Sequence, residues 1–278
     1  MTGVRPGQAP GGEAAPRGLH LADIRHAFPT PDGPLPVLDG ITVTVAPGQF
    51  VAVIGPSGCG KSTLFDIVTG QLTPRAGTVT VIGGRPPGAA GPATPRGQVA
   101  HMPQRDLLLP WRTVLDNTAL GLDVQGVPRR EGRRRAAALF ADFGLDGFER
   151  AYPDELSGGM RQRAALLRTM VQQRPIVALD EPLGALDSLT RSDLQVWLQR
   201  VWTEHPRTML MITHDIREAL LLADRVLVLS PRPARIVRDL TVDLPRPRDL
   251  RAVTTPEFVA LEAELLDLLH HTTGGRPR

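Results

Sequence analysis

Gly55-Pro-Ser-Gly-Cys-Gly-Lys-Ser-Thr63 is the stretch of sequence that decides the fold. It matches the pattern G-x-x-x-x-G-K-[ST] in full, and it follows a short apolar run, Phe50–Ile54, that is typical of a buried strand. A helix is predicted to begin at Lys61. Glycines at positions 55, 58 and 60 let the backbone wrap around phosphate groups with its N–H groups pointing inward, and the helix N-terminus adds positive potential. The stretch therefore predicts a site for the phosphates of a nucleotide.

The last three residues of this stretch have individual expected roles with ATP. Lys61 is expected to reach the β- and γ-phosphates, Ser62 to ligate Mg²⁺ through its hydroxyl, and Thr63 to contact the α- or β-phosphate. Lys61 is the only lysine among the chain's 32 basic residues, which indicates a position that requires a compact ammonium group. Cys59 is interpreted as a small residue that fills space, with a redox role as the alternative. The nucleotide-binding candidates in the loop are Gly55, Pro56, Ser57, Gly58, Cys59, Gly60, Lys61, Ser62 and Thr63.

A pair of carboxylates, Asp180 and Glu181, follows a second apolar run at residues 176–179. Parallel sheets bind ligands beyond the carboxyl ends of their strands, so this pair and the loop around Lys61 are expected to meet at one edge. Asp180 then fits Mg²⁺ coordination through a bound water, and Glu181 fits a general base that polarises the attacking water. The alternative is an acidic turn before Pro182.

Composition limits the class of protein. Hydrophobic residues make up 41% of the 278 residues and aromatic residues only 4%, which suits an α/β core of Leu, Val, Ile and Ala. The net charge is +3, and the dense arginine run at residues 129–135 has the spacing of a solvated helix start, so no nucleic-acid partner is expected. A single cysteine excludes an intrachain disulfide and fits a reducing, cytosolic compartment. No secretory signal or membrane-spanning stretch is recognised, so work at a membrane would require another chain.

Short apolar runs alternate with helical spacing, which predicts an α/β fold with a mainly parallel sheet covered by helices. Residues 19–45 are β-rich and are interrupted by a predicted turn segment at 29–36. Further strands are predicted at residues 50–54, 78–82, 98–102, 176–179, 208–213 and 225–229. Helices are predicted at about residues 61–69, 113–124, 129–143, 157–173, 191–202 and 216–223.

Leu156-Ser-Gly-Gly-Met-Arg-Gln-Arg163 resembles the LSGGQ signature motif of ABC ATPases, with Met160 in its final position. The other marks of that family stand in the expected order. Gln104 resembles the Q-loop glutamine, Gly184-Ala-Leu-Asp187 the D-loop, and Thr213-His-Asp215 the switch histidine motif. Together these motifs cover about residues 19–230, and their joint occurrence is very specific. The chain is therefore similar to the ATP-binding subunits of ABC transporters.

The resemblance implies a P-loop NTPase core with an N-terminal antiparallel β subdomain and an inserted α-helical subdomain. The expected organisation has a disordered segment at 1–18, rich in Gly and Pro, and an ABC ATPase domain at 19–243 with its helical subdomain at about 105–173. A C-terminal extension follows at 244–278. It is predicted to hold one helix, with Thr254 and Glu257 spaced as a capping box and Pro256 in the first turn.

The resemblance also implies roles for residues outside the loop. His214 is expected to contact the γ-phosphate and help hold the attacking water, and Gln104 to contact Mg²⁺ and that water. The implied catalytic set is thus Glu181, His214, Lys61 and Gln104, and the implied Mg²⁺ ligands are Ser62, Gln104 and Asp180. Phe28 is a candidate for stacking on adenine, with core packing as the alternative. A second phosphate-binding helix start is expected at Ser157, Gly158 and Gly159, with Asp187 beside it.

The partners follow from the same resemblance. Ser157 is expected to bind the γ-phosphate held by a second copy, so that a homodimer clamps two ATP molecules at the cytoplasmic face of a membrane, beneath separate permease subunits. Residues 102–112, and the tail at 232–237, 244–249 and 256–258, resemble importer subunits of the nitrate, sulfonate and taurine group. That group includes importers of pyrimidine precursors of thiamine, and a periplasmic or lipid-anchored solute-binding protein would act indirectly. The alternatives are an exporter ATPase, a non-transport ABC ATPase acting on nucleic acid or ribosomes, and a P-loop kinase.

Overall fold

Strands and helices alternate along the computed structural model of the chain, which describes residues 15–83, 95–184 and 186–273. The strands are β1 (Gly18–Thr30), β2 (Gly33–Val45), β3 (Phe50–Ile54), β4 (Ala76–Ile82), β5 (Val99–Met102), β6 (Ile176–Asp180), β7 (Thr208–Ile212), β8 (Arg225–Leu229) and β9 (Ile236–Thr241). The helices are α1 (Lys61–Val68), α2 (Val114–Val124), α3 (Arg129–Ala137), α4 (Gly158–Met170), α5 (Ser188–Glu204), α6 (Ile216–Leu222) and α7 (Pro256–Thr273). Of the predicted disordered segment, residues 1–14 lie outside the described residues, and Gly18 already belongs to β1.

The main sheet has six strands in the order β5-β6-β7-β3-β8-β9. Every neighbouring pair is parallel except β8 and β9, which confirms the predicted mainly parallel sheet. The strand β3 is buried along its whole length because both faces of the sheet are covered. Phe50, Ala52 and Ile54 face one hydrophobic cluster, whereas Val51 and Val53 face the other. The apolar run is therefore continuous rather than alternating.

An antiparallel sheet in the order β2-β1-β4 packs over one face of the main sheet, as the predicted N-terminal β subdomain requires. The turn predicted at residues 29–36 is confined to residues 31–32, because β1 and β2 stay paired almost to the tip, where Phe28 lies opposite Leu35 and Pro29 opposite Pro34. Proline has no N–H group, but β2 is an edge strand, so its prolines leave no ladder partner unsatisfied.

Three helices, α2, α3 and α4, lie between β5 and β6 and pack against one another, with α2 in contact with both others. Helix α3 ends at Ala137 instead of continuing to residue 143 as predicted. The chain continues there in tight turns, which place Phe140 and Phe143 in the core. The arginine run begins α3 and is paired, because Arg129 and Arg133 contact Asp116. No helix among the described residues is long and apolar enough to cross a membrane.

The C-terminal segment belongs to the main core. Arg248 is 4% exposed and donates hydrogen bonds to the carbonyl oxygens of Leu220, Ala223 and Val242, which anchors the Pro/Arg-rich segment to the end of α6. Helix α7 packs against α6 and β8, with Phe258 and Leu265 fully buried.

The predicted capping box at Thr254 is wrong by one residue. Thr255 caps α7 by accepting a hydrogen bond from the Phe258 N–H group, at 3.4 Å. Thr254 instead donates to the Arg251 carbonyl oxygen at the end of a short 3₁₀ turn, Ala252–Thr254. The edge strand β9 also escaped prediction, because four of its six residues are exposed and its charges hide the pattern.

Since Phe258 lies in the same hydrophobic cluster as the main sheet, Phe258→Ala should destabilise the whole chain by about 3–5 kcal/mol. The measurement is the free energy of unfolding from urea titration. Val259→Ala is the matched control on the same helix turn, because Val259 is 50% exposed and its truncation should change that energy by less than about 1 kcal/mol. Equal effects of the two substitutions would contradict the burial of α7 in the main core.

Candidate active site

The loop at residues 55–60 connects β3 to α1 and turns sharply at two glycines. Gly58 and Gly60 have φ angles of +71° and +124°, which favour glycine. A Cβ atom at Gly60 would also lie 2.8 Å from Cγ1 of Val37, so no larger residue fits. The Lys61 ammonium group donates to the carbonyl oxygens of Gly55, at 2.8 Å, and Pro56, at 3.0 Å. The lysine therefore lies folded against the loop that it helps to shape.

A cavity of about 290 Å³ opens above this loop. Most of the loop residues predicted to hold a nucleotide line it, together with Phe28 and Glu181. The predicted residues among its lining are Phe28, Ser57, Gly58, Gly60, Lys61, Ser62, Thr63 and Glu181. Cys59 points away into the core, where it is 2% exposed, and burial raises the pKa of its thiol. A raised pKa disfavours the redox alternative and supports a space-filling role.

Phe28 stands at the wall of the cavity rather than in the core. Its side chain is 37% exposed, and its ring meets His26 edge-on with the ring centroids 4.8 Å apart. A face left open at the mouth of the cavity is suited to stacking on a planar base. Of the two interpretations of Phe28, the geometry favours the contact with adenine.

Asp180 ends β6 beside Glu181, close enough to the Lys61 cavity for their charges to interact. Burial raises the pKa of Asp180 to about 6, and the neighbouring carboxylates of Glu181 and Asp66 add to the increase, while Lys61 opposes it. Burial is the largest of these causes, and the neighbouring carboxylates also disfavour the ionised form of Asp180. A divalent cation bound beside Asp180 would favour the ionised form.

Glu181 is held in an unusual backbone conformation with φ of +44°, and its N–H group donates to the Ile212 carbonyl oxygen at 2.9 Å. Its side chain contacts two of the other three predicted catalytic groups, Gln104 and His214. The Gln104 amide donates to Oε2 of Glu181 at 2.9 Å, and Nδ1 of His214 lies 3.5 Å from the same oxygen. Left-handed backbone at a non-glycine residue is a strain that often marks functional sites.

The remaining candidates form a second group away from the Lys61 cavity. Ser157 caps α4 by accepting a hydrogen bond from the Met160 N–H group at 3.3 Å, and Asp187 caps α5 in the same way through Thr190. The two helix starts touch, since a Cβ atom at Gly159 would lie 2.8 Å from Cγ2 of Thr190. The described residues that line the Lys61 cavity do not include Ser157, Gly158, Gly159 or Asp187.

Two residues near the site were missed from the sequence. Arg232 lines the Lys61 cavity, and its Nη2 atom would lie 3.6 Å from a Cβ atom at Gly58. No local spacing marks it. Glu218 lies buried beneath the loop that carries His214, and here a signal exists, because Asp215 and Glu218 have the Asp-x-x-Glu spacing of a capping box at the start of a helix.

A loop that wraps phosphates, a lysine at its end and a carboxylate poised beside them define a P-loop nucleoside triphosphatase. The ABC transporter family model matches residues 38–184. The chain belongs to the ABC transporter family and, within it, is an ATP-binding and ATP-hydrolysing component.

Individual relatives agree with this family. The chain is 45% identical to the aliphatic sulfonates import ATP-binding protein SsuB 1 of Rhodococcus jostii, over 90% of this chain and 92% of that protein. It is 42% identical to the formylaminopyrimidine import ATP-binding protein ThiZ of Halalkalibacterium halodurans, over 78% and 80%. The dimeric post-hydrolysis structure of the ATP-binding cassette MJ0796, bound to ADP and Pi, has a TM-score of 0.67 and 25% identity, and covers 82% of this chain and 100% of its own.

The raised pKa of Asp180 predicts how stability depends on pH. Because the folded pKa of about 6 exceeds the ordinary 3.8, the native state binds this proton more tightly than the unfolded chain, and the contribution is lost as pH rises from about 4 to above 6. Asp180→Asn resembles the protonated form. Its melting temperature without Mg²⁺ should exceed that of the wild type by about 2–5 °C at pH 8, and the difference should shrink at pH 4.5.

Asp187→Asn is the contrasting control in a thermal-shift assay. Hydrogen bonds from Thr190 lower the pKa of Asp187, so its ionised form stabilises the fold at pH 8 and that stability is lost as pH falls. This substitution should therefore not raise the melting temperature at pH 8. If Asp180→Asn has the melting temperature of the wild type at pH 8, the raised pKa of Asp180 is contradicted.

Proposed function

We propose that this chain is the ATP-hydrolysing subunit of an ABC importer and that two copies work together beneath a separate permease. The observation that carries the proposal is the division of the predicted site into two groups. One group surrounds Lys61 and Glu181, and the other surrounds the helix start at Ser157. Each group offers phosphate-binding chemistry, and one nucleotide touches both only when a second copy faces the first.

In the nucleotide site, the loop around Lys61 binds the triphosphate and Phe28 stacks on the adenine. The backbone N–H groups of the loop face the phosphates, and the N-terminus of α1 adds its positive end to the charge of Lys61. Arg232 adds a second cation to the same cavity. Thr63 contacts the α- or β-phosphate from the first turn of α1.

The residues present fit Mg²⁺. When bound, Mg²⁺ neutralises charge that develops on the transferred phosphoryl group. Ser62 offers an exposed hydroxyl at the cavity, Gln104 an amide oxygen, and Asp180 a carboxylate whose pKa is raised first by burial and then by the carboxylates of Glu181 and Asp66. The described residues include no cluster of three or more His, Cys, Asp and Glu side chains with metal-binding geometry. Such a cluster is not required, because Mg²⁺ takes only a few ligands from the protein and keeps waters and phosphate oxygens as its other ligands.

Hydrolysis follows from the position of Glu181. Its carboxylate accepts a proton from a water whose oxygen attacks the γ-phosphorus, and the bond from that phosphorus to the β–γ bridging oxygen breaks, releasing ADP and inorganic phosphate. Gln104 fixes one carboxylate oxygen through its hydrogen bond. His214, with 58% of its side chain exposed, lies beside that oxygen and can reach the γ-phosphate as well.

Transport needs a surface that meets the membrane partner. Leu107 and Trp111 are 56% and 72% exposed and follow Gln104 closely in sequence, so a helix of a permease docking on them would be linked to the active site. Leu108, next to Leu107 in sequence, is buried and anchors the segment in the core. In this proposal the chain lies at the cytoplasmic face of the membrane, and a solute-binding protein acts through the permease.

The transported solute is a small organic anion or heterocycle in this proposal. Its support is the naming of two relatives as import proteins for aliphatic sulfonates and formylaminopyrimidine, at 45% and 42% identity. Solute recognition belongs to the permease and the solute-binding protein, because the nucleotide site has no contact with the cargo. The exporter alternative has no support among these names.

Glu181→Gln should lower ATP turnover at least ~100-fold and trap an ATP-bound dimer, because the amide cannot accept a proton while the binding groups stay intact. The measurement is the molar mass from light scattering after size exclusion with saturating ATP. Lys61→Ala in the same background should remain monomeric because the triphosphate is lost. Ser157→Arg in the Glu181→Gln background should bind ATP and yet remain monomeric. A Glu181→Gln variant that stays monomeric with saturating ATP would contradict the clamp.

A further inference from the structure

A buried carboxyl group lies directly beneath the loop that carries His214. Glu218, in the first turn of α6, is only 3% exposed. Its Oε2 atom accepts a hydrogen bond from the Thr213 hydroxyl, and its Oε1 atom has no hydrogen-bond partner among the described residues. An acidic side chain here needs an explanation, because an apolar residue would fill the same space without the cost of desolvation.

The hydrogen bonds of Glu218 close a ring around His214. The Thr213 hydroxyl that donates to Glu218 also accepts from the Asp215 N–H group, at 3.0 Å. Asp215 in turn accepts from the Glu218 N–H group through Oδ1, at 3.1 Å. Thr213 is fixed to the sheet as well, since its N–H group donates to the Val53 carbonyl oxygen at 3.2 Å. Both neighbours of His214 are therefore held, and the imidazole is left free to face Glu181.

The ring also extends toward the start of α5. Nη1 of Arg191 lies 3.8 Å from Oδ2 of Asp215, and its Nη2 atom donates to the Leu186 carbonyl oxygen at 2.9 Å. The loop of His214 is thus connected to the segment next to Asp187. A shift of the His214 loop would disturb the neighbourhood of the second phosphate-binding group too.

The charges around Glu218 agree with a dedicated position. Burial raises its pKa to about 7, the Thr213 hydrogen bond opposes that increase, and Asp215 and Glu181 add to it while Arg191 lowers it. Because Asp215 and Glu181 are also acidic, Glu218 does not balance a positive charge at this place. What Glu218 contributes is the oxygen that accepts the hydrogen bond from Thr213.

We propose that Glu218 is a positioning residue, which holds the Thr213–Asp215 loop so that His214 stays within reach of Glu181 and the γ-phosphate. This inference rests on the proposed function, in which His214 and Glu181 act on the same ATP. Glu218 itself touches neither nucleotide nor water in this account. Its effect on turnover passes entirely through the position of the imidazole.

Glu218→Ala should lower kcat for ATP at least ~10-fold while the KM for ATP changes less than about twofold, because small misplacements of a catalytic group cost rate rather than binding. Glu218→Gln should recover most of the wild-type kcat, since its amide oxygen still accepts from Thr213. Thr213→Val, which removes the donor, should reproduce the effect of Glu218→Ala. A Glu218→Gln variant as slow as Glu218→Ala would overturn the hydrogen-bond role.

Gln199→Ala is the matched control for a merely structural effect. Gln199 is also buried, and it donates to the carbonyl oxygen of Leu221, at the opposite end of α6 from Glu218, and to that of Arg248. It should lower the melting temperature as Glu218→Ala does, yet keep the kcat at 25 °C within about twofold of the wild type. A loss of kcat in Gln199→Ala equal to that in Glu218→Ala would reduce Glu218 to a stabilising residue and overturn the inference.

A double variant separates the inference from the function on which it rests. If Glu218 acts only through His214, adding Glu218→Ala to His214→Ala should change the residual turnover of labelled ATP less than about twofold. An additive loss would overturn the inference alone. A His214→Ala variant with wild-type kcat would instead contradict the proposed role of His214 in hydrolysis.

Discussion

The hydrogen-bonded register of three parallel strands is the constraint on which the rest of this site depends. β3, β6 and β7 are adjacent, with Val53 and Asp180 both paired to Ile212. The three chain segments that follow Val53, Asp180 and Ile212 therefore begin side by side at the same edge of the sheet. The loop around Lys61, the Glu181 carboxylate and the His214 loop come from distant parts of the sequence, and the parallel strands bring them to a common edge of the sheet.

Holding these groups together costs folding free energy, through a strained backbone at one residue and a buried carboxylate at another. Glu181 adopts a left-handed conformation, and the pKa of Asp180 is raised by burial and by neighbouring carboxylates. Neither feature stabilises the folded chain. A left-handed backbone and a carboxylate with a raised pKa are typical of functional sites rather than of a fold selected for maximal stability. The surrounding core, buried on both sheet faces, supplies the stability that this arrangement requires.

Sequence patterns predicted what periodicity and local motifs encode. Phe50–Ile54 was recognisable because a strand buried on both faces is apolar throughout, and the phosphate loop because glycine spacing is local. The turn predicted at residues 29–36 was too long, since proline is tolerated on the edge strand β2 and the strands stay paired up to residues 30 and 33. Arg232 could not be found, because its place in the cavity depends on how a distant loop folds back. Glu218 could be noticed from its capping-box spacing to Asp215, but its contact with Thr213 depends on the turn between the two residues.

In the proposed dimer, the loop around Lys61 in one copy and the start of α4 at Ser157 in the other copy bind the same ATP. Cys59 is the only cysteine, so Cys59→Ala gives a cysteine-free background in one substitution. Ser57→Cys in one copy and Ser157→Cys in another then place one thiol at the cavity and one at the α4 start. Mild oxidation of the mixed copies should yield a disulfide-linked pair with ATP and far less without it. No linked pair at saturating ATP, although both thiols react with a maleimide, would contradict the shared site.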